Sequence, residues 1–261
     1  MRFSRKQLGI PYAVFLICFV IAPLLVVLYY AFTNGQGQFT VQNFVNFFTS
    51  ENTIGTLAYS LVTAMTVTAC CTLVAYPVAY ILARSDIKKK NVLLVLFIAP
   101  MWINFTLRVV ALKEVLTMVE GNLAYHPFLN TVLGMTYDFL PFMILPLYTI
   151  LEKLDKSYLE AAADLGASPV ITFIKVTLPL SMPGLISGVT MVFLPSMTNY
   201  VILDMLYNST YIMGSLIGSY FHAYDWNSGS MISIVLLAII FLVTWATNGF
   251  SEEETTRGAF L

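Results

Sequence analysis

Charge is scarce in this chain. Asp, Glu, Lys and Arg make up only 10% of its 261 residues, whereas soluble domains carry about a quarter. With 58% hydrophobic residues and a mean hydropathy of +0.80, that deficit excludes an ordinary soluble globule. Cysteine is nearly absent. Cys18, Cys70 and Cys71 lie inside apolar runs, behave there as small apolar residues, and show neither metal-ligand spacing nor a secreted disulfide framework. Adjacent Cys70 and Cys71 are poorly placed for a mutual bridge. The two histidines, His126 and His222, are isolated, and no HExxH or Ser/His constellation exists, which argues against an intramembrane enzyme. A GxxxxGK[ST] loop is also missing, so the chain has no cradle of its own for nucleotide phosphates. Nothing points to a catalytic residue, a bound metal or a nucleic-acid partner.

What the chain has is long apolar runs. About 20 such residues cross a bilayer as a helix, and six runs qualify, at about 9–33, 56–83, 92–113, 128–151, 183–206 and 229–249. They are too long and continuous for the alternating strands of a barrel. The expectation is an all-α polytopic membrane protein, residues 1–261 forming one transmembrane domain of six helices. The basic start MRFSRK looks like the opening of a signal peptide. However, Gln7 to Ser50 carries no charge, the apolar part exceeds a 7–15-residue core, and no small-x-small cleavage site follows. The first run reads as a retained span.

Basic residues are placed asymmetrically. Six spans put both termini and the loops after the second and fourth runs on one side. That side holds Arg2, Arg5, Lys6, Arg84, Lys88, Lys89, Lys90, Lys153, Lys156, Lys175 and Arg257, leaving only Arg108 and Lys113 of the 13 opposite. The positive-inside rule makes the richer side cytoplasmic.

Residues 152–182 are the one long stretch that reads as soluble structure. Ser157 followed three residues later by Glu160 predicts a capping box, and Tyr158 to Leu165, with its three alanines, predicts a short helix. Gly166 is placed to end it in a left-handed cap, and Ser168–Pro169 to start another. Val170, Phe173, Ile174 and Thr177 share a face of that second piece. Pro179 and Pro183 are expected to break it before the fifth run.

The full spacing carries more than the hairpin. Glu160, Ala161, Ala162, Gly166, Val176, Leu178 and Pro179 stand in the pattern EAA, three residues, Gly, nine residues, an aliphatic, one residue, Leu-Pro. This resembles the signature loop of ABC-importer permeases, with Val176 where the family usually has Ile. The resemblance implies a coupling helix that docks on a separate ATPase subunit, with Ala161, Ala162, Asp164, Gly166, Leu178 and Pro179 in its coupling element. Glu160 has two readings, a basic partner on the ATPase or the cap of its own helix. ATP and Mg would then sit on that partner, and this chain would bind no cofactor.

APMWINFTLR (99–108), LPFMILPLYTILEKLDKSYLEAAADLGAS (140–168), LPLSMPGLISG (178–188) and FLPSMTNYVILDM (193–205) look like the B-type permease of spermidine/putrescine importers. That likeness implies a bacterial inner-membrane complex with a second, related permease subunit, two ATPase subunits and an extracytoplasmic binding protein, working by alternating access. The tail from Ser251 to Leu261 has no family equivalent and is given no role. A polyamine needs carboxylates, aromatic faces and carbonyls along a wet path. Asp204 and Asp138 are the acids at membrane depth, each also readable as a structural carboxylate bonded to a neighbouring helix. Trp102, Tyr137 and Tyr200 are the aromatic candidates against a background of packing residues, and Asn104 follows Trp102. Arg108 is expected to pair with an outer acid or to reach the outer interface. Glu114, Glu120 and Asp225 read as solvated outer-loop charge. The alternatives are a permease for another small solute, such as an oxyanion or metal chelate, and an ion-coupled secondary transporter. No internal repeat supports the latter.

Overall fold

A computed structural model describes residues 5–85 and 87–258, with side chains over 11–85 and 87–245. Among the described residues the chain is helical, and the sole extended pairing is one bridge between Thr33 and Phe39. Five helices are long and apolar enough to cross a membrane: Pro11–Ala31, Glu51–Arg84, Pro127–Lys153, Pro169–Thr198 and Trp226–Trp245. They are called here the first, second, fourth, fifth and sixth spans. The expected third span, by contrast, is two helices, Lys90–Trp102 and Phe105–Glu120, that meet at 100°. The break is chemical. Pro100 tightens the end of the first arm into a 3₁₀ turn, Ile103 is extended, and the Asn104 side chain accepts a hydrogen bond from the Leu107 N–H to start the second arm.

The fifth span also departs from expectation. The second piece of the hairpin does not stop at Pro179 and Pro183 but runs on from Pro169 to Thr198, through Pro183 and Pro195. A proline has no N–H and crowds the carbonyl four residues back. Here the turn ahead of Pro179 is widened, Phe173–Thr177 being a π turn in which the Leu178 N–H donates to the Phe173 carbonyl. The interruption comes instead at Asn199 (φ −78°, ψ 82°), and Tyr200–Met205 is a separate short helix.

The chain divides into two compact units. In the unit built on Tyr59–Ile212, the fourth span is central: Met143, Ile144, Leu147 and Leu151 are fully buried. Glycine decides how closely its neighbours approach. A Cβ on Gly188 would lie 2.5 Å from Met143 Sδ, and one on Gly184 would lie 3.0 Å from the Pro146 carbonyl oxygen. Gly184 and Gly188 are four residues apart on one helix face, the small-residue spacing that lets membrane helices pack backbone to backbone. A Cβ on Gly134 would meet Leu206 at 2.5 Å, so the short 200–205 helix and its end also rest against the fourth span.

The other unit comprises the chain up to Ala58 together with Met213–Phe241. Its first span ends in carbonyls with no intrahelical donor. Asn43 donates to the Ala31 and Thr33 carbonyl oxygens at 3.0 and 2.9 Å, and Asn227 donates to those of Tyr30 and Thr33 at 3.0 and 2.6 Å. Two asparagine amides thereby close the helix end. Asp225 accepts from the Ser228 N–H at the start of the sixth-span helix, a capping role where loop charge was expected.

Candidate functional site

The hairpin is built by local backbone chemistry. Its first helix is Ser157–Asp164. The expected Ser157–Glu160 capping box does not form. Asp155, two residues earlier, accepts the Ser157 N–H at 2.9 Å, and Ser157 is already inside the helix. That bond, with help from the Ser157 hydroxyl, holds the exposed Asp155 carboxyl below the usual aspartate range. Glu160 is left exposed and outside the cap. The helix ends as expected. Gly166 sits at φ +76°, Ala167 N–H donates to the Ala162 carbonyl at 3.0 Å, and Gly166 N–H donates to that of Ala163 at 2.9 Å. These are the two bonds of a Schellman cap. Ser168 then caps the next helix by accepting the Ile171 N–H at 3.4 Å, with Pro169 at its first turn.

The hairpin's sides differ. Ala161, Ala163 and Asp164 are exposed, whereas Ala162 is buried, so its small size serves internal packing. Tyr158, Leu165, Val170, Ile171 and Ile174 present large apolar side chains outward, Leu165 being 88% exposed. Leu178 and Pro179 are half-buried at the start of the long part of the fifth span. The inner side is fastened to the helices behind it. The Phe173 ring meets Tyr76 and Tyr80 edge-on, with centroids 5.5 and 5.8 Å away. Tyr76 Oη and Ser181 Oγ are 2.7 Å apart. Arg84 donates to the Leu154 carbonyl at 3.1 Å, and Lys90 pairs with Glu152 at 3.2 Å. These contacts join the hairpin to the second span, and the end of the fourth span to the start of the bent third.

Away from the hairpin, near the middle of the fourth span, lies a buried ion pair. Arg108 Nη2 is 2.6 Å from Asp138 Oδ1, and the two residues are 7% and 3% exposed. Arg108 neither reaches an outer interface nor pairs with an outer-loop acid. It lies one turn into the arm that Asn104 caps, its N–H donating to the Asn104 carbonyl at 3.2 Å. Removing one member of such a pair costs about 3–5 kcal/mol, because the other charge is left buried and unpaired.

The remaining pathway candidates are not gathered into one cluster. Trp102 is 76% exposed at the break of the third span, with Asn104 exposed beside it. Tyr137 and Tyr200 are 40% and 39% exposed, and Asp204 is exposed on the short helix after Asn199. Next to that helix, Lys113 donates to the Tyr207 hydroxyl at 3.0 Å. Buried Asn208 donates to Tyr59 Oη at 2.9 Å and Thr131 Oγ1 at 2.8 Å, tying the segment to two spans. Glu120 accepts from Asn130 at 2.7 Å, so it too is a structural acceptor.

The chain is thus a polytopic helical bundle with a hairpin fastened to its packed helices. Residues 75–251 match the family described as binding-protein-dependent transport system inner membrane component. The chain belongs to that family. It is a multi-pass inner-membrane component of an ABC transport system. The spermidine/putrescine transport system permease protein PotB of Haemophilus influenzae is 34% identical over 272 aligned positions, taking in 95% of this chain and 94% of that one. The same-named protein of Escherichia coli is 35% identical over 217 positions, 76% of this chain and 79% of its own length. A solved bacterial alginate ABC transporter, in complex with an alginate pentasaccharide-bound periplasmic protein, superposes with a TM-score of 0.73 over 95% of this chain and 93% of that one. At 13% identity this last likeness concerns the fold alone.

Three features of this permease escaped the sequence reading. The Gly184–Gly188 spacing was visible as GxxxG and would have marked the contact of the fourth and fifth spans. Asn208 and the Arg108–Asp138 pair have no local signal, since their partners lie tens of residues away.

Proposed function

We propose that this chain is the translocating permease subunit of an ATP-driven polyamine importer, carrying spermidine or putrescine by alternating access. The observation that carries the reading is the 34% identity spread over 95% of the chain to a spermidine/putrescine permease. In this reading a second, related permease subunit completes the pathway, two ATPase subunits bind ATP and Mg, and an extracytoplasmic protein delivers the cargo. This chain performs no catalysis and holds no cofactor. The hairpin and both termini face the cytoplasm, as the distribution of basic residues supports. The exposed edge formed by Tyr158, Ala161, Leu165 and Val170 is the part offered to the ATPase, with Glu160 free for a basic partner.

ATP binding draws the two ATPases together, and the hairpin passes that displacement to the second, third and fifth spans. Each partner shifts the inward–outward equilibrium only by its differential affinity for the two states. Asp204, with Tyr200, Trp102, Tyr137, Asn104 and Asp138, supplies acid, ring and amide contacts to a multiply charged ammonium.

The test is uptake of tritiated spermidine and putrescine, with ATP hydrolysis, by the complete complex in proteoliposomes. Uptake that depends on the binding protein and falls at least about tenfold in Asp204→Asn is expected, from loss of one charge-assisted contact. Transport of an oxyanion or a metal chelate in place of either polyamine defeats the substrate reading. Cysteine labelling at Tyr158 and Tyr207 from opposite sides checks the orientation.

A further inference from the structure

The Arg108–Asp138 pair is neutral in charge but poorly satisfied in hydrogen bonding. Arginine–carboxylate pairs are frequently bidentate, the fork giving two parallel bonds. Here the contact is single, Nη2 to Oδ1 at 2.6 Å, and is not aligned as a hydrogen bond. Arg108 Nε and Nη1 and Asp138 Oδ1 are buried atoms with no hydrogen-bond partner among the described residues. The site therefore holds a buried carboxylate with an unsatisfied oxygen, served by a guanidinium that uses little of its donor capacity. Arg108 itself rides on the short arm beyond the 100° break, one turn from the Asn104 cap, and not on a straight spanning helix.

We propose that Arg108 is a resident counter-cation. It neutralises Asp138 while the pathway is empty and yields that carboxylate to a primary ammonium of the cargo. An ammonium has three donors on a compact head and can give the Asp138 carboxylate the aligned hydrogen bond that the guanidinium here does not. Arrival of cargo and release of Arg108 are then one exchange that never leaves the acid uncompensated in the apolar interior. The second arm of the third span, freed from the fourth, is the element that reports occupancy. This inference rests on the polyamine reading above and assigns to Arg108 a control of apparent affinity.

The experiment measures KM and kcat for spermidine uptake by the complete complex in proteoliposomes, for wild type, Arg108→Gln, Asp138→Asn, the double variant and Arg108→Lys. If Arg108 competes with cargo, Arg108→Gln removes the competitor, so KM falls about tenfold while kcat drops as release slows. Asp138→Asn and the double variant raise KM instead. Arg108→Lys, a single-point cation in the same place, keeps kcat within about threefold of wild type. A purely structural pair gives another pattern, read on the complex that assembles: Arg108→Gln and Asp138→Asn change KM in the same direction, Arg108→Lys loses uptake, and the double variant recovers wild-type KM. That pattern, or an unchanged KM in Arg108→Gln, overturns the proposal. Absence of spermidine uptake by the wild-type complex is a separate result, which removes the polyamine reading itself.

Discussion

Adding one methyl group at Gly188 tests whether the fourth and fifth spans are held by close backbone approach. The new Cβ would lie 2.5 Å from Met143 Sδ, with the Met143 carbonyl oxygen at 3.3 Å, in a site where Met143 is fully buried. The thioether must move by about 1 Å, within the range in which over-packing costs about 1–3 kcal/mol. Alanine returns up to about 1 kcal/mol of helix propensity, so Gly188→Ala should destabilise by about 0–2 kcal/mol. Met143→Ala alone opens a cavity and should cost about 2–5 kcal/mol. Combined, the two changes relieve each other: the sulfur that blocks the methyl is gone, and the methyl fills part of the void. The double variant should be more stable than the sum of the singles predicts by about 1–3 kcal/mol. At Gly184 the obstacle includes the Pro146 carbonyl oxygen at 3.0 Å, which no side-chain truncation removes. Gly184→Ala should therefore not be rescued by Ile150→Ala. Denaturant-induced unfolding of the purified permease in mixed micelles gives the seven stabilities needed, wild type included. Additivity within about 0.5 kcal/mol at Gly188 and Met143, or equal rescue at Gly184, would refute the packing account.

Two further outcomes concern the hairpin. Gly166→Pro forbids φ +76° and removes the N–H that bonds Ala163, so it should abolish uptake and weaken co-purification with the ATPase subunits, while undisturbed uptake contradicts the coupling role. The Asp155 carboxyl is held below its ordinary value in the folded hairpin, so its stabilisation is present above the unfolded aspartate range and is lost as pH falls through the folded value. Hydrogen-exchange protection of the 157–164 helix, corrected for intrinsic rates, should decline below about pH 4, and that decline should vanish in Asp155→Asn.

Local signals in the sequence were the readable ones. Gly166 and the Ser168–Pro169 start act through bonds that span three to five residues, and both occur where their spacing places them. Hydropathy located the apolar stretches because burial in lipid depends on composition, but it carries no direction, and the 100° turn at Ile103–Asn104 was invisible to it. The capping box failed through competition: Asp155 reaches the Ser157 N–H first, so Ser157 enters the helix. Pro179 was read as a break because proline cannot continue a regular α-helix, yet a widened turn upstream removes the clash. The pathway was least legible. For Asp138 the sequence allows both a pathway acid and a carboxylate bonded to a neighbouring helix, and it gives no signal that Arg108, 30 residues earlier, is the partner.

The absence of a break at Pro179 has a mechanical meaning. Pro169–Thr198 is 30 residues in one helix, about 45 Å of rod. Its one widened turn, Phe173–Thr177, lies at the hairpin end, where the Phe173 ring is held edge-on by Tyr76 and Tyr80. The hairpin's second piece and the residues before Asn199 are thus joined by continuous helix and not by a loop.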